Sequence, residues 1–248
     1  MISVNTAAAV LGIVFAAAVL QRTTGFGFAL LAVPLMAFVI PTKSAVIVVF
    51  LIGSLTSAWL AFRLAGQADR QAVRRLGAGA VVGAPVGVIV LHLVAATALR
   101  FALGVTTSLA AIWIITSSRL RGAEPVSPRP ISTFAVGVTS GIINTSLATN
   151  GPPLVYELRR CGFRDDKFRG TISAVFLISN LIGLPLLALS GLISTYDLEL
   201  AGISVLPCAT GIAAGAWIGA RMEAALFLWA VDVLLLLTGA LTILKAVS

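Results

Sequence analysis

Ten apolar segments follow one another along this chain, with only short loops between them. They fall at residues 5–20, 26–40, 44–62, 76–92, 97–117, 131–143, 151–158, 168–190, 200–218 and 224–245. Hydrocarbon offers no partner to a backbone N–H or C=O. A chain of this pattern is therefore held to helices that satisfy their own hydrogen bonds. Charged residues make up 10% of the chain, against about 25% in a soluble domain. The sequence reads as an all-α polytopic membrane protein, one transmembrane domain over residues 1–248 with no room for a water-soluble one.

Six segments are long enough to cross: 44–62, 76–92, 97–117, 168–190, 200–218 and 224–245. The other four are short and come in two pairs. The first pair is joined by Gln21 to Phe28 (QRTTGFGF), the second by Asn144 to Pro153 (NTSLATNGPP). Each pair reads as one broken spanning helix, or as a re-entrant hairpin that leaves by the side it entered.

Basic residues separate the two. Arg63, Arg70, Arg74 and Arg75 lie in loop 63–75, Arg119, Arg121 and Arg129 in loop 118–130, Arg159, Arg160, Arg164, Lys167 and Arg169 in loop 159–169, and Arg221 before the last segment. With two hairpins and the N-terminus outside, these 13 of the 17 basic residues are cytoplasmic. Lys43, Arg100 and Lys245 fall outside, and Arg22 falls within the membrane. Single crossings would put loops 118–130 and 159–169 on opposite faces, against the positive-inside rule. The expectation is two re-entrant helical hairpins and six transmembrane helices.

The halves correspond. Residues 5–117 and 131–245 each read as a hairpin followed by three crossings, joined by linker 118–130. Gly83 to Gly87 is echoed by Gly211 to Gly215, and Pro34 by Pro153. Three is odd, so the second repeat is inverted. Paired interruptions in an inverted repeat are the strongest sequence pointer to a transport site.

The tips suit an anion, and are expected to meet near the midplane. Thr23 or Thr24 would cap a helix starting near Phe26, and Thr149 or Asn150 one starting at Pro152. Each half-helix would present free N–H groups and a positive dipole end. Gly25, Gly27 and Gly151 allow close approach beside Phe26, and Arg22 adds a charge with a fork that fits oxyanions. Gln21, Asn144, Thr145, Ser146 and Asn180 supply neutral polar groups. Asp232, inside the last segment, is the candidate coupling carboxylate. Glu157 reads as an interfacial ion pair with its neighbouring arginines. Ser54 occupies a position matching Asn180. The glycine runs at 79, 83, 87 and at 211, 215, 219 read as packing.

Other classes are disfavoured. No basic run with interleaved aromatics points to nucleic acid. Cys161 and Cys208 form no metal or disulfide pattern, and no cofactor motif is present. An intramembrane enzyme would need a catalytic pair, and His92 is the one histidine. A passive anion channel stays open as the alternative.

At Gly25 to Phe28 with Pro34, and at Gly141, Asn150 to Pro153 and Phe168 to Thr171, the sequence resembles the sulfite exporter TauE/SafE family of membrane anion transporters. The resemblance covers nearly the whole chain, though Phe26 and Phe28 interrupt the family's glycine triplet. It implies a cell (inner) membrane transporter of sulfite, sulfonates and organosulfur anions, often outward. The implied partners are a small anion and the lipid bilayer; assembly into a homo-oligomer is left open.

Overall fold

The computed structural model describes residues 2–119, 126–127, 129–219 and 224–247, without the side chains of 114–119, 219, 224–232, 234 and 247. The helices among them are α1 Val4–Thr24, α2 Phe28–Met36, α3 Thr42–Arg63, α4 Arg70–Leu93, α5 Ala96–Arg119, α6 Pro130–Leu147, α7 Gly151–Arg160, α8 Asp165–Leu189, α9 Thr195–Gly219 and α10 Ala224–Val247. A 3-10 turn, Ala65–Gln67, precedes α4. Among the described residues, six helices are long and apolar enough to cross a membrane: α1, α3, α4, α8 and the described parts of α5 and α9. This is a multi-pass membrane protein.

Several helices outrun their expected ends. α1 continues through Thr24, so at 21 residues it is about 31 Å long and not a short segment. α6 runs to Leu147, which makes Asn144 to Leu147 helical and not loop. The cause is the same at both places. Thr23 and Thr24 hydroxyls turn back to the Leu20 carbonyl at 2.8 and 2.9 Å. Thr145 does so to Gly141 at 3.1 Å and Ser146 to Ile142 at 2.7 Å. Polar side chains that bond the preceding turn do not stop a helix. α4 starts at Arg70, before the expected 76, because the Asp69 carboxylate accepts from the Gln71 and Ala72 N–H groups there.

The chain divides into two compact units. Unit 1 holds α1, α2, the start of α3, α5, α9 and α10; unit 2 holds the rest of α3, α4, α6, α7 and α8. In unit 1, α1 lies along α9 and α5 along α10, with α2 touching α1, α5 and α10. Missing side chains set these approaches. A Cβ at Gly211 would lie 2.6 Å from the Phe15 carbonyl oxygen, and one at Gly215 2.8 Å from that of Val19. Four residues along α9 thus match four along α1, so the two run the same way. Gly104 meets Ile243 and Gly239, and Gly239 meets Ser108, so α5 and α10 run opposite ways.

In unit 2, α4 lies against α6 and α8. Gly79, Gly83 and Gly87 abut Phe134, Val138 and Ile142 in turn, so α4 and α6 are parallel. A methyl on Gly83 or Gly141 would run into the Val138 or Ala80 carbonyl oxygen. The expected packing role of these glycines is what the geometry displays.

Candidate functional site

The first tip belongs to unit 1. Gly25 ends α1 at φ 86°, its N–H closing on the Gln21 carbonyl at 2.8 Å, and Gly27 opens α2 at φ 97°. Left-handed backbone twice in three residues is cheap only for glycine. The expected threonine caps are not made. α2 begins at Phe28 and not near Phe26, and Gly27 at its N-cap has no side-chain bond to offer. The threonines are occupied by α1, and Thr24 Oγ1 also meets the Phe26 carbonyl and N–H, bracing the three-residue turn. The first bond back into α2 comes from the Leu31 N–H to Gly27 O at 3.2 Å. The N–H groups of Gly27, Phe28, Ala29 and Leu30 therefore lack a preceding helical turn to bond.

Beside this tip, Gln21 is buried, and its Oε1 has no hydrogen-bond partner within the protein. Arg22 is half-buried in the last turn of α1 and faces Gly215, where an added Cβ would come within 2.9 Å of Arg22 Cβ. The absence of a side chain on α9 leaves the arginine stem its room.

The second tip belongs to unit 2. Ala148 ends α6 in the left-handed region at φ 57°, its N–H on the Asn144 carbonyl at 2.8 Å. Asn150 stands at the N-cap of α7, which begins at Gly151 and not Pro152. Here too the expected cap is absent: Asn150 has helical backbone angles, and its side chain makes no capping bond. Pro152 and Pro153 carry no N–H, so α7 opens with donors at Asn150 and Gly151 alone.

α7 then returns along α6. Ser140 Oγ lies 3.4 Å from the Asn150 carbonyl, Thr133 Oγ1 donates to Glu157 Oε1 at 2.9 Å, and the Val126 N–H donates to the Arg160 carbonyl at 3.0 Å. Ser140 is ten residues into α6, about 15 Å along a helix of about 27 Å. The start of α7 thus lies near the middle of α6.

Buried polar groups surround that point. Asn144 Nδ2 donates to Asn180 Oδ1 on α8 at 2.9 Å. Thr145 also reaches the Ala84 carbonyl at 2.8 Å, which ties α6 to α4. Thr149 Oγ1, Asn150 Nδ2 and Ser179 Oγ are buried without a hydrogen-bond partner in the protein. Glu157 pairs with Arg160 at 3.0 Å as expected, but it is 2% exposed and so more enclosed than an interfacial residue.

The expected site residues therefore gather in two groups. Gln21 to Gly27 form one tip, and Asn144, Thr145, Ser146, Thr149, Asn150, Gly151 and Asn180 surround the other. Ser54 donates to its own helix at Phe50 and adds nothing to this group. Ser140 and Ser179 went unnoticed in the sequence. Their signals were available: Ser140 is one turn before Asn144, and Ser179 adjoins Asn180. Asp232 lies in α10, and its side chain is outside the described residues.

The family model described as Sulfite exporter TauE/SafE matches residues 10–242. No curated protein and no solved structure matches the chain.

Proposed function

The chain belongs to the sulfite exporter TauE/SafE family of membrane transporters, and we propose that it is a secondary exporter of small oxyanions of the sulfite or organosulfonate class. The polar tips of the two helix pairs handle the anion. What carries this is the make-up of the tips. Each is a three-residue turn where the N–H groups of a helix start, which have no preceding helical turn to bond, stand beside buried polar side chains, and no carboxylate lies within either turn. Such helix starts favour negative charge. Arg22 supplies the full charge.

Helix directions support re-entrant hairpins. Let α3, α4, α5, α8, α9 and α10 each cross once. If α6 and α7 together made one crossing, α5 and α10 would run the same way; they run opposite ways. With α6–α7 returning, a single crossing by α1 and α2 would set α1 against α9; they run the same way. Both pairs then return to the side they left. The same directions fit inverted repeats at 5–117 and 131–245. Alternating access would come from one repeat moving against the other, with Asp232 as the coupling carboxylate.

The test is sulfite binding and counterflow with purified protein in liposomes. Arg22→Gln should weaken sulfite binding by about tenfold or more, the scale of losing a charge-assisted hydrogen bond. Unchanged affinity would remove Arg22 from the site. Conductance in place of saturable counterflow would replace the carrier with a channel.

A further inference from the structure

We propose that unit 2 carries a charge-neutral oxyanion subsite at the start of α7, formed by Thr149, Asn150 and Ser179, in which Ser179 helps decide which ligand is held. This rests on the anion-transport reading above and deepens it. Thr149 is 1% exposed, Asn150 6% and Ser179 0%. All three keep a polar atom without a partner in the protein: two hydroxyls and an amide nitrogen.

A buried donor left unmatched is costly, so these three call for an acceptor. Two of them immediately precede the first residue of α7, where the Asn150 and Gly151 N–H groups have no preceding turn of α7 to bond. Ser179 comes from α8, the helix that packs on α6 beside the tip. Its neighbour Asn180 bonds Asn144, and one turn beyond it a Cβ on Gly183 would lie 2.9 Å from Thr145 Cγ2. Asn144 in turn sits one turn from Ser140, which meets Asn150.

All of these groups are neutral. Glu157, on the same helix, is engaged by Thr133 and Arg160. The subsite can therefore seat an oxygen by hydrogen bonds while adding no counter-charge. Pro152 and Pro153 sharpen this by removing two backbone donors, which leaves side chains to do the recognising.

The test is sulfite titration calorimetry on the full chain in detergent, with melting temperature as the check on folding. Asn150→Asp replaces a donor by a negatively charged acceptor of nearly the same shape, and should weaken sulfite binding by a hundredfold or more. Ser179→Ala and Thr149→Val should each weaken it about 5- to 20-fold, one hydrogen bond apiece. Sulfite affinity within twofold of wild type in all three would overturn the subsite, leaving water as its occupant, while the transport reading stands. Should the wild-type protein bind none of sulfite, methanesulfonate and sulfate, both readings fall. If Asn150→Asp fails to fold, the two milder substitutions decide the matter alone.

Discussion

The two tips solve one problem with different residues. Both end one helix and start a second after a three-residue turn. Gly25 to Gly27 does it with two left-handed glycines, four N–H groups at the start of α2 that have no preceding helical turn to bond, and a cation at Arg22. Ala148 to Asn150 does it with one left-handed alanine, two prolines that silence half of those donors, and neutral side chains instead of charge. The contrast teaches that a tip can supply attraction through backbone and charge, or selection through placed side chains.

The largest effects should come from the helix contacts that hold each tip. Gly83→Ala or Gly141→Ala would press a methyl into a facing backbone carbonyl in unit 2, at a cost of about 2–3 kcal/mol. Gly211→Ala in unit 1 meets the Phe15 carbonyl and the Ala18 methyl, and should cost about as much. Melting temperatures in detergent check this; unchanged values would mean that the helices are not held at these distances.

Next in size is a pair of opposite sign. Gly27→Ala has room for its methyl, whose nearest neighbour is Leu20 Cδ2 at 3.4 Å, but must take φ 97°. It should destabilise by about 1–2 kcal/mol from backbone strain alone. Ala148→Gly relieves the same kind of strain at φ 57° and should be neutral or stabilising, by up to about 1 kcal/mol. Equal shifts of the same sign would break the comparison.

A smaller effect concerns the prolines. Replacing Pro152 and Pro153 together by alanine restores two N–H donors to α7. Sulfite affinity should rise about two- to fivefold if donor number limits the second tip, the scale of part of a hydrogen bond. A fall in affinity would show that the prolines act by fixing the turn.

The smallest effect lies away from both tips. Asp69, at the start of α4, has its pKa lowered from the ordinary 3.8. The Ala72 N–H is the largest single cause and burial opposes it, with Lys167 and the Gln71 N–H adding to the lowering. Its Oδ2 meets Lys167 Nζ at 3.1 Å. A depressed carboxylate stabilises the fold above its unfolded pKa and loses that contribution as pH falls through the folded value, here below 3.8. Lys167 is 54% exposed, so solvent screens the pair and Lys167→Ala should cost about 0.5 kcal/mol or less near neutral pH. That small cost should vanish as pH falls through the lowered Asp69 pKa.

Much of the helical make-up was legible because apolar length is a coarse signal that tertiary contacts do not alter. The helix ends were not. Thr23, Thr24, Thr145 and Ser146 looked like loop residues, yet each bonds a carbonyl of its own helix and prolongs it. The arginines at 70, 74 and 75 looked like a loop and form the first turns of α4. At the tips, residue type pointed to the turns between helices and to the wrong bonds. Thr149 and Asn150 were read as caps, but the turn leaves their polar atoms without a partner in the protein. Ser179 was hidden because one serine in an apolar helix is ordinary until the asparagine beside it is seen bonded to another helix.

The most direct measurement is modification of single cysteines at Phe26 and at Thr149, in protein whose Cys161 and Cys208 are replaced by serine. A small neutral thiol reagent should reach both positions from water, and sulfite should slow the reaction at both. Cysteines that stay unreactive at either tip, or that react at the same rate with and without sulfite, would contradict the account.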